Sequence, residues 1–259
     1  MITYYLKKSI CNPVLLGVVV VFSVTLIIGC YSDLSAAQTN TIPVLYCFMV
    51  TTSVGIAHVV APLLCAMPFL FFYVDTLDSG SSYFLMIRTK AKTELLAKIL
   101  AALISSVCMT GMALIFFTVT ALCFGAGWEA EQSLHLSFQD KFFEAMIESH
   151  MMSVYFVYCI SFLVYSLPWA LVGLVASLFV KNRYMVFAIP FLVYIVWNYL
   201  TELLGLTWLN LNMTLLKGNS RNLYGGGILY ALIYHGILCL GLIIFYGVMY
   251  RRRWKYEGI

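Results

Sequence analysis

A chain of 259 residues in which 63% are hydrophobic and only 10% charged falls outside the range of a soluble globular domain, whose charged share is about 25%. Its apolar runs are continuous rather than alternating, which excludes a membrane β-barrel and leaves an all-α polytopic membrane protein. The net charge of +4 does not indicate nucleic acid, because the basic residues gather at the ends of apolar spans, where they orient helices.

The stretch from Met1 to Asn12 carries Lys7 and Lys8 and is amphipathic enough to lie along the membrane surface. Span 1 covers 13–30 and opens on Pro13, a good first-turn residue. Two basic residues ahead of a run ending in Ile27-Ile28-Gly29-Cys30 resemble a lipoprotein signal, and Ser35-Ala36-Ala37 resembles a signal-peptidase site. The apolar run exceeds the roughly 7–15 residues of a signal core, so a retained span is the favoured reading. Span 2 covers 43–73, longer than the roughly 20 residues that cross a bilayer. Pro62 and Pro68 predict a kink in its second half.

The polar stretch 75–98 follows, with Arg88, Lys90, Lys92 and Lys98 against Asp75, Asp78 and Glu94. It contains an Asp-Ser-Gly turn signal and then a run able to form an amphipathic helix. This stretch reads as a docking surface whose contacts are Asp78, Gly80, Arg88, Lys90, Lys92 and Glu94. Span 3 covers 99–124. The next segment is acidic, and within it an interfacial helix is expected at about 137–150, with Phe138, Phe142 and Met146 opposite Asp140, Glu144 and Glu148. A solvated face is the better reading of those acids, and selection of cationic substrates the second.

Span 4 covers 151–180 with Pro168 near its middle, and Lys181-Asn182-Arg183 turns it into span 5, 184–204, as an antiparallel neighbour. Span 6 covers 228–250 and ends on Arg251, Arg252, Arg253 and Lys255. With the N-terminus inside, only Lys141, Lys217 and Arg221 among the 15 basic residues fall outside. That asymmetry predicts six transmembrane helices with both termini cytoplasmic.

Several chemistries lack their residues. There is no Gly-x-x-x-x-Gly-Lys-Ser/Thr phosphate loop, so the chain does not hydrolyse ATP by itself, and neither His-Glu-x-x-His nor Gly-x-Ser-x-Gly is present. An enzyme is therefore not expected. The eight cysteines lie in or beside spans without metal-ligand spacing and read as small hydrophobes, and no metal site is expected. Cys30, Cys47 and Cys123 fall near outer span ends, where an external disulfide has no pattern to support it. Asn212-Met213-Thr214 is a glycosylation sequon of low specificity.

Ionisable residues inside spans are costly, which singles out His58, Glu202 and His235. Aromatic residues recur at helical spacing along spans 4 and 5. His58, Tyr155, Tyr158, Tyr194, Trp197 and Asn198 are the candidate lining of a path for an amphiphilic substrate. Helix packing is the more frequent role of such stripes.

Two local patterns carry a family resemblance. Acidic residues and Ser-Gly precede Leu85-Met-Ile-Arg88, with Lys98 opening span 3, and Leu171-Val-Gly-Leu-Val-Ala-Ser-Leu-Phe-Val-Lys-Asn-Arg183 places Gly-x-x-x-Ser before a short basic turn. With six spans, a long second span and a basic amphipathic stretch between spans 2 and 3, the chain resembles the permease subunit of bacterial ABC-2 type exporters. Asp75 and Asp78 stand where the family has a glutamate. The resemblance implies a coupling helix between helices 2 and 3 and a dimer, homodimeric or with a related chain, with separate ATP-binding subunits carrying ATP and Mg. It also implies a path lined by spans 2 and 5, and residence in the bacterial cytoplasmic membrane. A peptide or amphiphilic small molecule is the expected cargo, and an ATP-independent substrate-binding or immunity membrane protein is the alternative.

Overall fold

The computed structural model of the protein describes residues 2–37, 43–53, 56–78, 91–128, 141–180, 182–206, 209–210 and 227–256. Among these the chain is helical, apart from one isolated bridge between Pro43 and Gly127. Helices α1 (Ile2–Ile10), α2 (Pro13–Gly29), α3 (Tyr31–Ala37), α4 (Val44–Ser53) and α5 (Ala57–Asp78) form the first part. Helices α6 (Ala91–Cys123), α7 (Lys141–Ala176), α8 (Arg183–Leu203) and α9 (Gly227–Tyr256) follow. Among the described residues, five helices are long and apolar enough to cross a membrane, and six if the bent pair α1–α2 counts as one span. The chain is thus a multi-pass membrane protein by its helices.

Local signals account for the helix ends. Asn12 accepts a hydrogen bond from Val14 N at 3.0 Å and Pro13 occupies the first turn, so α2 starts where the sequence predicts. Asn182 does the same for Tyr184 N at 3.0 Å and starts α8. At the other end of α8, Gly205 has a φ of +68°, and Leu206 N reaches back to Thr201 O at 2.8 Å. That left-handed residue closes the helix as a Schellman motif, which a residue with a Cβ fills poorly.

Three boundaries differ from expectation. The long second span is divided: α4 and α5 are separate helices, while α5 runs on through both Pro62 and Pro68. The Thr51-Thr52-Ser53 run ahead of Gly55 supplies weak helix formers at the division. Pro62 cannot donate to the carbonyl of His58, and the Tyr165 hydroxyl from α7 donates to that carbonyl instead at 3.4 Å. The expected interfacial helix at 137–150 is not a separate element where it is described: residues 141–150 are the first turns of α7. Span 4, expected to reach residue 180, gives up α-helical form at Ala176 and continues to Val180 as hydrogen-bonded turns. Helices α1 and α2 are bent by 52° relative to each other at the break between them.

Helices α5, α6 and α7 form the centre, each with half or more of its span buried inside the bundle. Helix α2 packs on α5 and α6, α8 on α5 and α7, and α9 on α7 and α6. Helices α5 and α7 meet tightly at Gly173, where an added Cβ would meet Leu70 Cδ1 and, at 3.1 Å, Ala66 Cβ. Small residues at that crossing let the α5 and α7 backbones draw together, the usual source of helix association in lipid. Helices α8 and α9 bury only 28% and 17% of their spans, leaving long apolar faces exposed.

Candidate functional site

Two clusters hold the polar and aromatic residues of interest, one toward each end of the bundle. The first is built on the opening turns of α6. Glu94 and Lys98 stand one turn apart, so their side chains share a face. Their Oε1 to Nζ distance is 2.6 Å, and both side chains are 0% exposed. Aromatic rings from other helices enclose the ammonium. Tyr73 of α5 and Tyr250 of α9 each present a ring centroid at 4.9 Å, and Lys98 Nζ donates to the Tyr250 hydroxyl at 3.5 Å. Tyr5 of α1 and Tyr246 of α9 complete the apolar surroundings. Such cation–π contacts strengthen as water is excluded. Helices α1, α5, α6 and α9 therefore meet around one buried ammonium group.

The docking residues expected from sequence fall unevenly on this picture. Lys92 is exposed on the first turn of α6, while Glu94 is turned inward onto Lys98 and offers no surface to a partner. Asp78 is the last residue of α5, with its side chain outside the described part, and Gly80, Arg88 and Lys90 lie outside the described residues. The tyrosines of the cage were missed by sequence reading. Their signal was faint: the i,i+4 spacing of Glu94 and Lys98 marks a pair, but four partners on three other helices are non-local.

The second cluster is a chain of ring contacts through the opposite half of the bundle. Trp128 meets Tyr155 at 5.7 Å, Tyr155 meets Phe48 at 5.7 Å, and Phe48 meets Phe162 at 5.8 Å. Phe162 then touches Tyr165, Tyr165 touches Trp169, and Trp169 touches Tyr194, all within 6 Å. Tyr194 closes the series on His58 at 6.5 Å. A branch runs from Tyr165 to His235 and Tyr234. His235 is buried, its Nδ1 2.7 Å from Ala231 O. Since a carbonyl only accepts, Nδ1 is the donor in that contact.

Of the candidate path residues, His58, Tyr155 and Tyr194 thus belong to one continuous aromatic series, and Tyr158 is buried in the same core. Trp197 sits at the edge, where its Nε1 donates to Leu209 O at 2.9 Å beside a second bond from the Tyr234 hydroxyl at 3.0 Å. Asn198 is half-buried next to it on α8. These rings pack against one another, with edge-to-face geometry in most pairs. Glu202 is exposed near the end of α8. No group of three metal-binding side chains occurs among the described residues. In comparisons with protein families, curated proteins and solved structures, nothing matches this chain.

Proposed function

We propose that this protein is the membrane-spanning permease subunit of an ATP-driven ABC-2 type exporter. It works as a dimer with separate ATP-binding subunits and carries a peptide or amphiphilic small molecule. The sequence resemblance supports this reading, as does the charge asymmetry, which puts residues 75–98 on the cytoplasmic side together with both termini. The observation that carries it is the joint at the start of α6. A soluble motor can drive a membrane bundle only through a cytoplasmic surface fixed rigidly to the spans. Residues 79–90 connect the ends of α5 and α6, and Lys98 ties the first turns of α6 to α1, α5 and α9. Displacement at the connecting segment is thereby transmitted to four helices at once.

The docking surface is now narrower than the one expected from sequence. Lys92 and the segment containing Arg88 and Lys90 meet the partner, while Glu94 holds Lys98. The test is purification with native neighbours, followed by ATPase measurement on the Arg88→Glu/Lys92→Glu double variant. Recovery of a chain with an ATP-binding phosphate loop, and loss of transport-coupled ATPase in the variant, are expected. Absence of such a chain, or full coupling in the variant, sinks the proposal.

A second reading draws on the aromatic series from Trp128 to His58: an ATP-independent membrane protein that captures a hydrophobic peptide among these rings. Protection of cells by this chain expressed without any ATP-binding partner would favour it.

A further inference from the structure

Two apolar surfaces that the bundle leaves bare end in basic side chains. On α9, Ile237, Leu240, Ile244 and Val248 recur at three- and four-residue steps and are all exposed, and the exposed Arg252 continues that stripe one turn beyond Val248. On α1, Tyr4 shares a face with Lys7 and Lys8, and all three are exposed. The break that bends α1 from α2 by 52° lies between these lysines and the exposed Leu16 and Val20 of α2. Lys7 and Lys8 therefore stand where the uncovered surface of that span begins. Ring contacts tie both basic ends to one buried cluster. Tyr4 and Tyr5 meet the Phe72 ring of α5 at 6.0 and 6.2 Å, and Lys8 Nζ lies 5.9 Å from the same ring. Tyr73, next to Phe72, and Tyr250, next to Arg251, each face Lys98 Nζ at 4.9 Å.

Charge decides what such a rim holds. Among side chains described around this cluster, the exposed charges of α1, α6 and α9 are Lys7, Lys8, Lys92, Arg251 and Arg252, whereas Glu94 is buried against Lys98. A cation at the end of a lipid-facing stripe lies at headgroup depth, its stem on apolar surface and its charge at the interface. A zwitterionic headgroup brings as much positive charge as negative, while a headgroup of net negative charge compensates the rim. A soluble acidic protein would have to displace lipid from the stripes that lead to Lys8 and Arg252. We propose that Lys7 and Lys8 of α1, with Arg251 and Arg252 of α9, form a basic rim that binds the headgroups of anionic phospholipids in preference to zwitterionic ones. Acyl chains of the bound lipid lie along the exposed faces of α2 and α9. Because Tyr5 and Tyr250 pack in the cluster around Lys98, lipid held at the rim bears on the same joint without using Lys92.

The proposal does not depend on the transport reading, and its test uses the whole chain. Protein in a neutral detergent is given equimolar phosphatidylglycerol and phosphatidylcholine, and native mass spectrometry counts the lipids retained. Phosphatidylglycerol should dominate, and added salt should weaken the preference. A basic residue near an anionic surface is worth about a fivefold preference, so Lys7→Gln/Lys8→Gln and Arg251→Gln/Arg252→Gln should each lower it roughly tenfold or more. Arg251→Lys/Arg252→Lys keeps the charge and should keep the preference, which separates loss of binding from loss of fold. Equal retention of the two lipids by wild type, or an undiminished preference with all four residues changed to Gln, would overturn the proposal. So would release of the lipid by an equal concentration of glycerol 3-phosphate, which has the headgroup phosphate without acyl chains. Loss of a co-purifying acidic protein in the Gln variants, with lipid retention unchanged, would assign the rim to that protein instead.

Discussion

Lys98 contacts Glu94 across a single turn of α6, 2.6 Å away, with neither side chain reaching solvent. A buried pair of this kind is not automatically stabilising, because both charges have been taken out of water. Its consequence appears when one partner is removed. Lys98→Ala leaves a buried carboxylate, and about 3–5 kcal/mol of stability should be lost. The double variant Glu94→Leu/Lys98→Met, which removes both charges and keeps volume, should recover most of it. Thermal unfolding in detergent separates the cases. Equal melting temperatures for wild type and Lys98→Ala would mean that the pair is not enclosed.

Tyr165 tests how α5 passes through Pro62. The proline deprives the His58 carbonyl of its helical donor, and the Tyr165 hydroxyl replaces it from α7. Tyr165→Phe should therefore cost about 0.5–1.5 kcal/mol, the usual net worth of one hydrogen bond. In a Pro62→Ala background the helix regains its own donor, and the same substitution should cost less. A double-mutant cycle by thermal unfolding measures the difference. Additivity of the two changes would show that the hydroxyl does not serve that carbonyl.

How far the sequence reached is clearest at particular residues. Asn12-Pro13 and Asn182-Arg183 announce helix starts through side chains that act on their own neighbours, and such local chemistry is readable in one dimension. Pro62 was readable as a lost hydrogen bond but not as a repaired one, because the repair comes from α7, over a hundred positions away. Glu94 was read as surface because charged residues beside a span ordinarily face water. Only the tertiary placement of Tyr73 and Tyr250 around Lys98 turns that face inward. The aromatic stripes of α7 and α8 were legible as stripes, whereas the ring-to-ring series needs Phe48 and His58 from elsewhere in the chain.

Gly173 predicts a clash of defined origin. Its α7 position faces Ala66 and Leu70 of α5, with no room for a branched side chain. Gly173→Val should separate α5 from α7 and destabilise by about 1–3 kcal/mol through overpacking. Trimming the opposite wall in Gly173→Val/Leu70→Ala should restore part of the loss. Failure of the second change to help would show that Leu70 is not what the new side chain meets.

The two exposed cysteines test the arrangement of the ends. Cys11 lies between α1 and α2, close in chain to Tyr5 of the Lys98 cluster, whereas Cys123 is the last residue of α6 and so stands at the other end of that helix from Lys98. If the basic clusters face the cytoplasm, as their asymmetry predicts, the two thiols are on opposite sides of the membrane. A membrane-impermeant maleimide should then label Cys123 in intact cells and reach Cys11 only after permeabilisation. Mapping the label by mass spectrometry on a variant with the other six cysteines changed to serine or alanine keeps the readout unambiguous. Labelling of Cys11 in intact cells would reverse the orientation, and with it the placement of residues 79–90 where an ATP-binding partner could reach them.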